Sequence, residues 1–252
     1  MALTLLSFCA LSFTGFGLCQ ALTCRLALPT NTLINLGLGF FVAMAVVSLI
    51  VSQNWFALSA VSQAILLVSC CAAAVTAVAF CRGNNLPLSA GVPLHSRIVG
   101  FNALCLCAIA GYLMLVLFNN MSRQVFPWDA FTTWMFRAKA WVTTDQAVAF
   151  ATVNEWLANG SGFTLPAAHY PISVSAVAAF AAAVSGGWSD QAASIPWFFV
   201  MTASVLIMAG LCRLQTPDHP FAAPDGAVLL GTAPLVRWPG LLAGDADIWG
   251  MG

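Results

Sequence analysis

Four uncharged, mostly apolar runs of twenty or more residues, at 2–24, 33–52, 55–80 and 98–118, constrain this chain more than any other feature. A bilayer core about 30 Å thick takes about 20 apolar residues per helix, and within hydrocarbon a helix satisfies its own backbone polar groups. Two further runs, 171–187 and 194–212, follow. A last one, 226–236, is too short to span alone. Only 6% of the residues are charged, against about 25% in a soluble domain, so lipid must be the solvent over much of the length. The expectation is an all-α, polytopic transmembrane helix bundle forming one membrane domain over 1–252, with no separate soluble domain. Met1 opens an apolar run with no basic segment before it and no clear cleavage site. That reads as a first spanning helix rather than a removable signal peptide.

Eight basic and eight acidic residues cancel and form no basic run, which argues against nucleic acid as a partner. The nine cysteines lie in or at the ends of apolar runs, with no CxxC pair, so they read as small buried apolar residues rather than ligands or disulfides. Arg25 stands in one loop, and Arg82 and Arg97 two spans later on the same side. The bias of basic residues toward the cytoplasm then puts the loop 119–170 outside. If 171–187, 194–212 and 226–236 all cross, Asp245 and Asp247 return to the inner face. If one of them is re-entrant or interfacial, they face outward with that loop.

The segment 119–170 holds Arg123, Asp129, Arg137, Lys139, Asp145 and Glu155 together with Trp128, Trp134, Trp141 and Trp156. Tryptophan mixed with charge belongs at a membrane–water interface. At 100° per residue, Trp128, Phe131, Trp134, Met135, Ala138, Trp141 and Val142 share one face. Asp129, Thr132, Thr133, Phe136, Arg137 and Lys139 occupy the rest, which predicts an interfacial amphipathic helix in an extracytoplasmic loop. A weaker helical stretch is expected over about 145–158, broken by Asn159-Gly-Ser-Gly162.

Asp129, after Pro127-Trp128, reads either as a first-turn acid stabilised by the helix N-terminus or as a carboxylate able to take a proton from an acceptor hydroxyl. A capped acid is also a fixed one, so the two readings are compatible. Arg137 and Lys139 are either snorkelling anchors or phosphate partners, one a bidentate fork and the other a point charge. His169-Tyr170-Pro171 stands where the loop returns to the membrane. Asp245 and Asp247 read as a solvated turn on composition alone. Asn120-Met-Ser122 and Asn159-Gly-Ser161 match the N-glycosylation pattern.

Taken in order, Trp128-Asp-Ala130, Trp134, Arg137-Ala-Lys-Ala140, His169-Tyr-Pro171 and Gly244-Asp-Ala-Asp247 resemble the C-type (GT-C) superfamily of polytopic membrane glycosyltransferases. The resemblance lies with a bacterial branch whose loop reads W-D-A-x-x-x-W-x-x-K-A-K-A, and it covers the half of the chain from 126 onward. It implies a GT-C-like fold and a sugar donor linked to polyprenyl phosphate. It also implies that Asp129 is the loop acid, serving as catalytic base or metal-binding carboxylate. Lys139 then meets the donor phosphate with Arg137 beside it, His169 and Tyr170 border the substrate, and Asp247 matches a later acid. A divalent cation is compatible with this set, but nothing in the sequence requires one. The chain departs from the pattern in four places. Arg137 replaces the first lysine, no residues separate His169 from Tyr170, Asp245 stands where tyrosine is usual, and four spans precede the loop.

The function expected is transfer of a sugar from a polyprenyl-phosphate donor to an acceptor at the outer face of a bacterial inner membrane. The alternatives are a transporter or channel without covalent chemistry, or a truncated non-catalytic remnant, since the chain reads as the front part of something longer. A transporter usually carries ionisable residues inside its spans, whereas here the charges cluster at helix ends and in the loop. The sequence is silent on sugar, acceptor and oligomeric state.

Overall fold

The computed structural model describes residues 1–26, 30–83, 96–122, 130–160, 162–165, 171–216, 219 and 221–232. The long helices are α1 (Ala2–Leu26), α2 (Thr32–Ser52), α3 (Leu58–Gly83), α4 (Ser96–Ser122) and α8 (Asp190–Gln215). Of these, α1, α2, α3 and α8 are long and apolar enough to cross a membrane. Between α4 and α8 come a π-helical turn (Ala130–Trp134), α5 (Met135–Thr144), β1 (Phe150–Ala151), α6 (Val153–Asn159), β2 (Phe163–Thr164) and α7 (Ser173–Val184). The last described helix, α9, covers Ala222–Thr232.

Small residues set how the long helices cross. Gly15 of α1 and Gly39 of α2 meet backbone to backbone, the close approach that glycine permits between membrane helices. Gly37 lies against Ala203 and Ile207 of α8, and Gly210 against Ile34. The Asn31 side chain also donates to the Gly210 carbonyl at 2.8 Å. Since 34 pairs with 210 and 37 with 203–207, α8 runs antiparallel to α2. Thr14 donates to the Ser69 carbonyl at 3.0 Å and Gly17 abuts Thr76, so α3 runs parallel to α1. Buried Asn35 joins two helices by donating to Gln20 Oε1 at 2.7 Å and accepting from Thr30 at 2.9 Å.

Helix α7 is buried along its whole length from Val174 to Val184, as a helix that is apolar on all sides must be. Its twelve residues reach about 18 Å, well short of a bilayer core. Its start lies beside α5, where Arg137 Nη1 donates to the Pro171 carbonyl. Near its end the Ala181 carbonyl accepts from Thr4, at the beginning of α1. Helix α8 then begins at Asp190, at the end of the bundle opposite the Asn31–Gly210 contact. Both ends of α7 therefore lie on one face, called the loop end below. Within the run 171–187, expected to be a short span, the structure has a buried twelve-residue helix, Ser173–Val184, lying toward the loop end.

Two other boundaries differ from expectation. Helix α3 starts at Leu58 rather than 55, because Asn54 takes a left-handed conformation (φ 54°) and leaves Trp55 and Phe56 exposed in the turn. Asp145 then caps the helix, its carboxylate accepting from the Ser59 amide (2.7 Å) and hydroxyl (2.8 Å) and its carbonyl from the Leu58 amide (2.8 Å). The expected 145–158 helix is confined to Val153–Asn159, since left-handed Asp145 ends α5 and a Thr152–Glu155 capping box starts α6. Among the described cysteines only Cys19 is buried, and all are free. Most lie on or near the outer surface of the helices, a correction to the reading of buried residues. Asp145→Ala is expected to cost about 1–2 kcal/mol, the usual value of a lost cap. Detergent unfolding would measure that loss, and limited proteolysis would show faster cleavage in the 53–57 turn.

Candidate functional site

The chemistry-bearing segment folds over the loop end of the bundle, and α5 is its frame. Its Trp134, Met135, Ala138 and Trp141 face is buried, as the helical wheel anticipates. Thr133 and Arg137, placed on the polar side by the same wheel, are buried as well. The cause is long-range. Helix α7 packs on one side of α5, while the β1–β2 pair, with Phe150 opposite Phe163 in parallel register, is tied to another. The tie is the Trp141 indole, which donates to the Val148 carbonyl at 2.7 Å. Phe136 packs edge-on against Phe150, with ring centroids 5.9 Å apart.

Arg137 is only 1% exposed. Its guanidinium carbon lies 5.7 Å from the Phe150 ring centroid, a cation–π geometry, and Nη1 donates to the Pro171 carbonyl at 3.5 Å. Burial holds the guanidinium below its ordinary pKa, since desolvation disfavours the charged form. Lys139 is exposed. Two residues further along, it lies about 200° around the helix, so the two cations point to different sides of α5. Arg137 fastens α5 to the start of α7, whereas Lys139 stands exposed.

Asp129, His169, Tyr170 and Asp247 lie outside the described residues, as do Trp128 and Asp245. In sequence, Asp129 directly precedes Ala130, where the π-helical turn leading into α5 begins, and Tyr170 directly precedes Pro171. The Arg137–Pro171 contact thus joins two segments that lie 34 residues apart in sequence. Among the described residues there is no group of three or more His, Cys, Asp or Glu side chains able to hold a metal ion.

Several features of this region have no counterpart in the sequence patterns. Asp145 and Phe150 give no local signal, because their partners lie far away or arise from the loop fold. Asn120, 2% exposed, and Ser175, fully buried, have side-chain polar atoms without a hydrogen-bond partner among the described residues. Asn120 of the first glycosylation pattern is therefore not presented to solvent, whereas Asn159 of the second is exposed.

Glu155 closes the capping box of α6, accepting from the Thr152 amide at 2.8 Å and hydroxyl at 2.9 Å. These bonds lower its pKa from the ordinary 4.5. A depressed carboxylate stabilises the folded state above its unfolded pKa and loses that contribution as pH falls through the folded value. Amide exchange in α6 is thus expected to accelerate below the usual glutamate range while α5 stays protected. Equal acceleration in both helices would reject the local origin.

No protein-family model, no curated protein and no solved structure matches this chain.

Proposed function

We propose that the protein is an integral membrane glycosyltransferase that moves a sugar from a polyprenyl-phosphate donor to an acceptor at the outer face of the membrane. The observation that carries this reading is the Arg137–Pro171 contact at 3.5 Å. It joins Arg137 of the Arg137-Ala-Lys-Ala140 stretch to Pro171, on the end of the bundle where Lys139 is exposed. Arg137 and Lys139, two positions of the motifs that resemble the GT-C superfamily, both stand on α5, which supports the reading.

The orientation rests on charge. Arg25 and Arg213 lie in the last turns of α1 and α8 at the far end. Arg82 near the end of α3 and Arg97 at the start of α4 join them. Seven residues, eight Cα–Cα steps, separate Ser122 from Ala130 and reach at most about 29 Å, too little to recross the bundle, so α4 rises to the loop end. Four arginines at the far end against Arg137 and Lys139 among the described loop-end residues favour a cytoplasmic far end. The loop end then faces outward, where a polyprenyl-linked donor presents its sugar.

The chemistry divides among few residues. Asp129 accepts the proton of the acceptor hydroxyl as the new glycosidic bond forms. Lys139 neutralises the departing phosphate, and Arg137 holds Pro171 against α5 so that the segments on either side keep a fixed register. The later acid, Asp247, remains a supporting candidate for substrate contact. The reading is tested with purified protein in vesicles, following radiolabelled sugar from defined polyprenyl-phosphate donors into a water-soluble or lipid acceptor. Uptake of a solute without consumption of donor would replace it with the transporter reading.

A further inference from the structure

A wedge-shaped cavity of about 700 Å³ opens between α3 and the α1–α2 pair. That volume falls within the range of ligand sites, yet the walls carry no charge. They are formed by residues such as Leu18, Val46, Ile50, Phe56, Ala64 and Val68. The wedge is held open at one end and shut at the other. At the loop end, the Asp145 carboxylate clamps the start of α3 through Ser59, and Asn54 accepts from the Ala147 amide at 2.9 Å. Deeper in, α3 meets α1 where Thr14 donates to the Ser69 carbonyl at 3.0 Å and Gly17 abuts Thr76. Between Ala60 and Ser69 the groove descends about 14 Å, at 1.5 Å per residue. That is close to one leaflet, half of a hydrocarbon core about 30 Å thick.

We infer that this wedge holds one acyl chain of a phospholipid from the leaflet at the loop end. Leu18, Val46 and Val68 at its rim are exposed apolar residues of the helices, so the groove is continuous with the lipid-facing surface. A helix from a second copy needs a full-depth seam, and this groove closes halfway. A flexible hydrocarbon chain fits a wedge that narrows with depth, and it restores the close contact that protein interiors otherwise supply. The exposed Trp55 and Phe56 at the mouth sit where the acyl chain meets its headgroup region. The lipid then acts as a filler that keeps α3 spaced from α1 and α2, and the inference does not depend on the catalytic reading.

The test is photolabelling of the full chain in phosphatidylethanolamine–phosphatidylglycerol vesicles carrying a trace of phosphatidylglycerol with a diazirine in one acyl chain. Peptides covering 42–50 and 60–69 are expected to label several-fold more than the exposed face of α4 around Leu104 and Leu115. Ala64→Phe, which fills the groove, is expected to bring that labelling down to the α4 level. Asp145→Ala, which frees the top of α3, is expected to lower it as well. Equal labelling of groove and α4 in the wild type would overturn the inference whether or not either variant folds. So would labelling unchanged by Ala64→Phe, or crosslinks joining two copies through the groove.

Discussion

Asp129→Asn is expected to lower sugar transfer by roughly two to four orders of magnitude, the range that positioned general bases contribute, while membrane insertion and unfolding behaviour stay unchanged. An amide has nearly the size of the carboxylate but cannot accept the hydroxyl proton. If Asp129 served only as a first-turn acid, the same change would cost little, since asparagine caps helices about as well as aspartate. The substitution therefore separates the two roles read from the sequence. Lys139→Gln gives the companion result. Losing a cation that meets the donor phosphate should weaken donor use without the full loss, and the loss should shrink at high salt, where exposed charges are already screened. Transfer by Asp129→Asn at the wild-type rate would remove the base and, with it, the assignment of the loop as a catalytic one.

The long helices were legible because hydrocarbon imposes a length rule that few sequences satisfy by chance. Each of the seven apolar runs corresponds to a helix, and α1, α2, α3 and α8 have the length and composition to span. What 171–187 does was not legible. A seventeen-residue apolar run looks alike whether it crosses or folds back, and only contacts such as Thr4–Ala181 and Asn31–Gly210 reveal that α7 keeps both ends on one face. The face of α5 carrying Trp134 and Trp141 followed from period alone, because burial there repeats every three to four residues. The burial of Arg137 did not, since its cover includes Phe150, thirteen residues away in another element. The Asp145 clamp on Ser59 joins positions 86 residues apart and leaves no local pattern. In the candidate site, Lys139 and Arg137 were both visible as cations, but their divergence to different sides of α5 required the helix to be placed against its neighbours.

Gly39→Val is expected to be the most damaging single change to the bundle. A Cβ at Gly39 would run into the backbone of Gly15 and Phe16, and neither can yield as a side-chain tip would. Helices α1 and α2 must therefore separate, and the consequences spread through what their contact aligns. Phe8 of α1 stacks 5.4 Å from Phe199 of α8 and meets Phe180 of α7 at 5.8 Å, while Phe40 of α2 lies 5.9 Å from Phe199. The Asn35–Gln20 hydrogen bond of 2.7 Å crosses the same interface. Overpacking alone costs about 1–3 kcal/mol, lost aromatic pairs about 0.5–1.5 kcal/mol each, and an interhelical hydrogen bond about 0.6 kcal/mol. Against a total stability of about 5–15 kcal/mol, the sum is enough to leave much of the protein unfolded or aggregated. Gly111→Val in α4 is the matched control, because a Cβ there meets nothing within 4 Å. Unfolding in mixed micelles should show a large loss for Gly39→Val and almost none for Gly111→Val. Equal transitions for the two variants would mean that α1 and α2 do not meet through these glycines.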